Sequence, residues 1–141
     1  MNEESLLRVQ SLPDLRTPVF VAAFAGWNDA AEAATHAASV LVQQWSAARF
    51  ADIDPESFYD FTETRPTIRL TSTGQRALSW PENCFFAHRA QDVDRDVVIL
   101  VGVEPQLRWR TYCSLVLDLA DRLDATLLVS MGALLADVPH T

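Results

Sequence analysis

The sequence contains no lysine, because all 11 basic residues are arginines. The chain has 19 acidic residues. The absence of lysine excludes a P-loop lysine and a Schiff-base lysine from any functional site. The net charge of -8 argues against a nucleic-acid or anionic-lipid surface, since both need clustered positive charge. We therefore expect neither nucleic acid nor a membrane as a partner.

Cysteines and long apolar runs are also scarce. Cys84 and Cys113 are far apart and form no CxxC pair, so neither a disulfide framework nor a zinc site is expected. The longest apolar runs are much shorter than the roughly 20 residues that span a bilayer, and the acidic N-terminus lacks a signal-peptide pattern. The sequence thus predicts a cytoplasmic protein that uses no metal and no cofactor.

Two strand–loop–helix units carry most of the apolar residues. A continuous apolar run at Pro18–Phe24 predicts a strand buried on both faces, and a helix is predicted from Asp29 to Arg49. The second unit comprises a strand at Asp96–Pro105 and a helix at Leu107–Leu123. Another buried strand, Thr126–Met131, follows. The predicted inner face of the first helix contains Ala33, Ala37, Val40, Leu41, Trp45 and Ala48, and that of the second contains Cys113, Val116, Leu117, Ala120 and Leu123.

The middle of the chain has a different pattern. Residues 67–71 alternate between polar and apolar as a half-exposed strand does, Gly74 marks a turn, and a short strand is predicted at Cys84–Ala87. We interpret this part as a β-meander. The whole predicts an α/β domain over residues 18–141, after a lead-in segment at 1–17, with a mixed sheet that is parallel at its centre.

The last predicted strand has no helix after it to cover it. A parallel sheet needs both of its faces covered. We therefore expect this chain to be the N-terminal part of a longer protein, incomplete at its C-terminus, or to be completed by a partner.

Three loops follow the predicted parallel strands, at the end of an open α/β sheet where ligands usually bind. They are Gly26–Asp29, Gly102–Arg110 and Gly132–His140. The candidate ligand- or partner-binding residues in these loops are Gly26, Trp27, Asn28, Asp29, Glu104, Arg108, Arg110, Asp137 and His140. No catalytic residue is assigned.

The first loop has two interpretations. Asp29 and Glu32 have the spacing of a capping box, in which an N-cap side chain and a residue three positions later satisfy free backbone amides. Alternatively, the helix N-terminus binds an anion or a polar group. The negative charges of Asp29 and Glu32 disfavour phosphate, so a ligand here is expected to be polar or cationic, held by Asp29 and shielded by Trp27.

The other two loops also leave alternatives open. Glu104 and Arg108 have the spacing of an i,i+4 ion pair, while Arg108 and Arg110 beside Trp109 offer guanidinium groups to an anion. Asp137 and His140 form a pair that orients an imidazole for general-base work, or they belong to a structural loop.

Several segments together resemble one known family. "VFVAAFAGWNDAAEAA", "RPTIRL", "SWPENCFFAHR", "LVGVEPQLRWRTYC" and "SMGALLADVPHT" occur in this order. They strongly resemble the proteasome assembly chaperone 2 family, in its bacterial, actinobacterial branch. The resemblance implies a three-layer α/β fold similar to the nucleoside phosphorylases, and a scaffolding role without established catalysis.

Two hypotheses about function follow. In the first, the chain is a non-enzymatic interaction or assembly-chaperone-like protein, a homo-oligomer for which the resemblance implies a proteasome-related partner. In the second, it is a nucleoside phosphorylase- or hydrolase-like enzyme, or a small-ligand binder, with its site at the carboxyl ends of the strands.

Overall fold

The computed structural model describes residues 6–139 of the chain. Six strands form one mixed sheet in the order β1-β3-β6-β7-β2-β8, and β4 and β5 form a separate hairpin. The strands are β1 (Leu7–Val9), β2 (Val19–Ala25), β3 (Ala48–Ile53), β4 (Thr67–Leu70), β5 (Arg76–Ser79), β6 (Asn83–His88), β7 (Val97–Val103) and β8 (Leu127–Met131). The helices are α1 (Ala33–Gln44) and α2 (Trp109–Arg122).

The sheet is parallel in one half and antiparallel in the other. Strand β2 lies between β7 and β8 and is parallel to both, whereas the pairs β1–β3, β3–β6 and β6–β7 are antiparallel. This confirms the predicted mixed α/β sheet. All three parallel strands point the same way, so the loops that follow them emerge together.

The helices cover opposite faces of the sheet. Phe20 and Leu100 pack with α2 in the larger core, whereas Ala23 and Ile99 pack with α1 in the smaller one. Successive side chains of a strand point to opposite faces, and the two cores therefore define three layers, as expected. The α1 layer uses Ala34 and Ala38, whose small side chains bring the helix close to the sheet.

Helix α1 ends at Gln44, and the prediction that it continues to Arg49 is wrong. Ser46 adopts a left-handed conformation with φ 48°. The amide of Ala47 donates to the carbonyl of Val42 at 2.9 Å, and that of Ser46 donates to Gln43 at 3.2 Å. These two bonds are the Schellman stop of a helix, which usually has glycine at this place. Because serine stands there instead, the sequence carries no stop signal.

The predicted inner faces of both helices are rotated from the real ones. In α1, Val40 and Trp45 are exposed, because Ala34 and Ala38 face the sheet. In α2, Cys113 and Leu117 are exposed. Its buried stripe consists of Tyr112, Leu115, Val116, Leu119, Ala120 and Leu123. The many alanines of α1 give little contrast between faces, and in α2 a tyrosine that carries a polar hydroxyl belongs to the core.

Three further predictions about strands need correction. The middle segment is no meander, because β6 joins the main sheet between β3 and β7, away from the β4–β5 hairpin. Strand β1, within the predicted lead-in segment, pairs with β3. Strand β8 was predicted to be buried, but it lies at the edge of the sheet, where Leu127, Leu128 and Val129 remain 40–47% exposed.

A buried carboxylate fixes the amino ends of β2 and β7. Asp96, just before β7, is fully buried and accepts bonds from the Arg16 amide at 2.7 Å, the Arg16 guanidinium at 2.8 Å and the Ala90 amide at 2.9 Å. The hydrogen bond from Arg16 is the main reason why the pKa of Asp96 falls to about 2. These bonds hold the amino ends of β2 and β7 in place, so Asp96 has a structural role.

Candidate functional site

The three loops predicted to carry a site do meet at the carboxyl ends of the parallel strands. The amide of Ala133 donates to the Asn28 carbonyl at 2.9 Å, and the amide of Ala30 donates to Ala133 at 3.0 Å. On the other side, the Glu104 amide donates to the carbonyl of Ala25 at 2.8 Å. The loop after β2 is therefore bonded to the loops after both β7 and β8.

Two glycines allow these loops to approach closely. Gly26 has φ 145°, and a Cβ atom there would lie 2.7 Å from a carboxylate oxygen of Glu104. At Gly132 a Cβ atom would lie 2.2 Å from the side-chain nitrogen of Asn28. A larger residue at either position would push a predicted site residue away, so both glycines shape the site.

Asp29 has a structural task at the start of α1. It is 7% exposed, and its carboxylate accepts the amides of Ala34 at 2.8 Å and Thr35 at 3.1 Å, together with the Thr35 hydroxyl at 2.5 Å. The expected capping box with Glu32 is wrong, because Ala31 and Glu32 both adopt left-handed conformations and the helix begins only at Ala33. These bonds engage both oxygens of Asp29, so the carboxylate that remains open to a ligand is that of Glu104.

Glu104 directly follows β7 and points toward the first loop. One of its oxygens accepts the Trp27 amide at 3.1 Å. The predicted ion pair with Arg108 is not among the ion pairs of residues 6–139. Arg108 instead adopts φ 53° just before α2 and lies with its guanidinium 5.8 Å from the centre of the Phe58 ring.

Arg110 and Asp137 take no part in the contacts described above. Arg110 is exposed in the first turn of α2, and Asp137 is exposed in the segment after β8. His140 lies outside the described residues, so the Asp137–His140 pair stays a prediction, and so does a binding role for Arg110.

Two cavities open at this end of the sheet and share Glu104, Pro105 and Trp109 in their walls. The first, of about 210 Å³, is mainly apolar and is also lined by Phe24, Asn28, Tyr112, Cys113, Ser130 and Met131. The second, of about 400 Å³, is also lined by Ala25, Gly26, Trp27, Thr64, Val103 and Gln106. Glu104 and Trp109 therefore form the boundary between an apolar cavity and a more open one.

Beneath the first cavity lies a buried polar network. The side-chain oxygen of Asn83 accepts bonds from the Tyr112 hydroxyl at 2.9 Å, the Val103 amide at 3.0 Å and the Tyr59 hydroxyl at 2.8 Å. Burial raises the pKa of Tyr59 to about 12 and also raises the pKa of Tyr112. Both phenols are neutral at physiological pH, and the network supports the cavity floor.

Sequence reasoning missed Phe24, Tyr112 and Met131 as lining residues. The signal that identifies Tyr112 is its place at the start of the true apolar stripe of α2. Phe24 and Met131 lie at the ends of runs predicted to be buried strands. Nothing in the sequence at these positions distinguishes a residue that lines a cavity from one that packs in the core.

Two negative findings concern residues 6–139. No group of three or more histidine, cysteine, aspartate or glutamate side chains is placed to hold a metal ion. Within the same range, none of the helices has the length and apolar character that crossing a membrane requires.

Comparison with known proteins decides the family. The model of the PAC2 family matches residues 23–141. The chain belongs to the PAC2 family. The match includes all three loops of the candidate site. No curated protein sequence matches the PAC2 chain.

Solved structures of actinobacterial proteins resemble it in both sequence and fold. A PAC2 family protein from Streptomyces avermitilis is 44% identical with a TM-score of 0.80. A proteasome-assembly chaperone homologue from Mycobacterium tuberculosis is 46% identical with a TM-score of 0.79. Each alignment covers 87% of this chain and 52% of the other. The chain thus spans about half the length of these relatives.

An archaeal structure shares only the fold. The homologue of proteasome-assembly chaperone from Pyrococcus furiosus is 14% identical, with a TM-score of 0.54 over 94% of this chain and 52% of the other.

Proposed function

We propose that this PAC2 chain is a non-enzymatic, cytoplasmic interaction protein that binds a protein partner at the carboxyl end of its sheet. The observation that carries the proposal is the exposure of two tryptophans in one cavity: Trp27 is 82% exposed and Trp109 is 49% exposed. Large apolar side chains that are exposed together around one cavity mark interaction sites, and tryptophan is among the residues that dominate binding energy at protein interfaces. Leu134 and Leu135, just after Ala133, are also exposed.

We further propose that the partner is a proteasome component or a protein that assembles with it. The support is the 46% identity to a mycobacterial protein described as a proteasome-assembly chaperone homologue. The acidic charge of the chain is compatible with a protein partner and disfavours nucleic acid.

The test measures binding of the purified chain to purified proteasome α and β subunits by biolayer interferometry. Wild type is expected to bind at least one subunit type. A Trp27→Ala/Trp109→Ala variant is expected to lose at least about tenfold in affinity, as for a hot-spot pair. Leu117→Ala is the matched control, because Leu117 is 54% exposed, lines neither cavity and lies two turns along α2 from Trp109, roughly 12 Å at 1.5 Å per residue. Absence of binding by wild type to either subunit would refute the proteasome-related part.

Self-association is part of the proposed function, and the β4–β5 hairpin supports it. Ile68, Leu70 and Leu78 lie on the same side of this hairpin, since Ile68 pairs with Leu78 across the strands, and they are 56–75% exposed. Three arginines and no acidic residue lie between Thr64 and Trp80. A basic, apolar arm on an acidic body is complementary to a second copy of the same chain.

The alternative function, a nucleoside phosphorylase- or hydrolase-like enzyme or a small-ligand binder, is favoured by the 210 Å³ cavity with Asn28 and Ser130 in its wall. A ligand that binds only the folded chain must raise its melting temperature. We expect a thermal-shift screen with nucleosides, alone and with phosphate, to give no stabilisation. A saturable shift that Asn28→Ala abolishes would favour the small-ligand function over the interaction protein.

A further inference from the structure

The second cavity places one carboxylate between two indoles. Glu104 is half-buried, and Trp27 and Trp109 line the same 400 Å³ space. Aromatic faces and a carboxylate both attract positive charge, the former through the ring quadrupole and the latter through charge-assisted hydrogen bonds. The three side chains therefore favour the same class of ligand.

The backbone holds this carboxylate in place before any ligand arrives. The amide of Glu104 is bonded to Ala25, and its carboxylate accepts the Trp27 amide at 3.1 Å. The same oxygen packs closely against Gly26, where a Cβ atom would lie 2.7 Å from it. A ligand group would thus meet a side chain that has already lost much of its conformational freedom, which lowers the entropic cost of binding.

The charge of Glu104 is not neutralised within residues 6–139. The ion pairs among these residues use Arg8, Arg16, Arg49 and Arg89, and Arg108 lies over Phe58. Asp29, the carboxylate of the neighbouring loop, is engaged with the start of α1. Glu104 is thus the negative group that the cavity presents to an incoming ligand.

We propose that the Trp27–Glu104–Trp109 cavity binds a guanidinium or alkylammonium group. The cation contacts Glu104 and the indole faces, and the adjacent 210 Å³ cavity with Phe24 and Met131 in its wall receives the apolar remainder of the ligand. Such a cation comes from a basic side chain of a protein or from a free amine. This inference deepens the proposed function, and the biological meaning of the cation site rests on that proposed function.

The test uses small probes and no partner protein, so that its failure is distinguishable from failure of the proposed function. N-acetyl-arginine amide and N-acetyl-lysine amide are titrated into the ¹⁵N-labelled chain while the indole N–H signals of the tryptophans are followed by NMR. N-acetyl-norleucine amide is the neutral probe. We expect saturable shifts of Trp27 and Trp109 with the cationic probes at millimolar concentrations, which correspond to about 4 kcal/mol of binding free energy, and at least fivefold weaker binding of norleucine.

Variants assign the effect to the carboxylate. Glu104→Gln keeps the oxygen that accepts the Trp27 amide but removes the charge, and it is expected to weaken the cationic probes by about five- to tenfold, as a charge-assisted bond is roughly twice as strong as a neutral one. Asp118→Asn is the matched control, because Asp118 is exposed on α2. Binding by Glu104→Gln equal to wild type, equal binding of the neutral probe, or no shift at all would each overturn the proposal.

Two further titrations determine whether the cation comes from a protein side chain or from a free amine. A five-residue peptide with one central arginine represents a protein partner, and agmatine represents a free amine. Tighter binding of the peptide assigns the site to a protein side chain, whereas tighter binding of agmatine assigns it to a small molecule.

Discussion

Asp29 and Glu104 are carboxylates at the same end of the sheet, but their surroundings give them different tasks. Asp29 is almost fully buried and accepts two backbone amides and one hydroxyl. Glu104 accepts one amide and faces a cavity. The sequence indicated both residues as candidates, because each belongs to a loop predicted at the carboxyl end of a parallel strand. It did not separate them, since the left-handed residues that delay α1 to Ala33 are an alanine and a glutamate, which give no sign of that conformation.

Asp96 is the residue whose ionisation should control stability in acid. Its folded pKa of about 2 is below the ordinary value of about 3.9. The charged form is therefore favoured in the folded state, and this contribution to stability is present above about pH 4 and lost as the pH falls toward 2. We expect the free energy of unfolding, measured by urea titration, to fall across this pH range.

The substitution Asp96→Asn tests this assignment. It removes the titrating group, so the slope between pH 4 and pH 2 should flatten. It should also lower stability at pH 7 by roughly 1.5–3 kcal/mol, because the amides of Arg16 and Ala90 lose the charged acceptor to which they are bonded. The exposed Asp92 provides the control, Asp92→Asn, which should leave both stability and slope close to wild type. An unchanged slope in Asp96→Asn would contradict the role of Asp96.

Asn83 stabilises the cavity floor through one oxygen atom. Asn83→Ala would leave the Val103 amide and the Tyr112 hydroxyl, both bonded to that oxygen, without partners. Since each buried unsatisfied group costs about 1–3 kcal/mol, we expect the variant to lose roughly 2–4 kcal/mol, measured by urea denaturation. Asn83→Ser should lose no less if the full side chain is needed. A loss below about 1 kcal/mol in Asn83→Ala would show that the network contributes little.

At the scale of elements, the strands were easier to predict than the ends of the helices. Strands β2 and β7 read as continuous apolar runs, which buried parallel strands require, and both lie close to their predicted places. Both helices stop on Schellman bonds that use Ser46 and Asp124 in left-handed conformations. Glycine is the usual signal for such a stop. Because Ser46 stands in its place, the sequence did not indicate where α1 ends and β3 begins.

The end of α1 gives a prediction at this scale. A left-handed conformation costs a non-glycine residue about 1 kcal/mol, and glycine avoids this cost. Ser46→Gly is therefore expected to raise the free energy of unfolding by about 0.5–1 kcal/mol, measured by urea denaturation. Ser39→Gly, in the middle of α1, is the matched control and should lower it by about 0.3–0.5 kcal/mol, the difference in helix propensity between serine and glycine. Equal effects of the two substitutions would show that the Ser46 conformation is not strained.

For the whole molecule, the two strand–loop–helix units predicted a mixed α/β sheet and the end of that sheet where the loops meet, and the family resemblance implied the three layers. The sequence did not predict the hairpin as a separate unit. The alternation of residues 67–71 is the same for a strand inside a sheet and for one in a projecting arm, and only the pairing of β6 with β3 and β7 distinguishes them. The distribution of charge between arm and body was already visible in the sequence, but its meaning depends on this geometry.

Self-association through the hairpin is the prediction at this scale. Charged surfaces attract over roughly 8–10 Å at physiological salt and much less at 1 M, so a contact between the basic arm and an acidic body should weaken as salt rises. We expect sedimentation velocity to show a concentration-dependent oligomer at low salt. Arg69→Glu/Arg76→Glu should shift the chain toward monomer, and Ile68→Thr/Leu70→Thr/Leu78→Thr should do so at any salt concentration. Leu117→Ala, on α2, should behave as wild type. Two outcomes would contradict this role of the hairpin: a wild-type chain that stays monomeric at low salt and high concentration, and hairpin variants that associate as wild type does. In either case, the apolar and basic side chains exposed on the hairpin would contribute nothing to contact between copies.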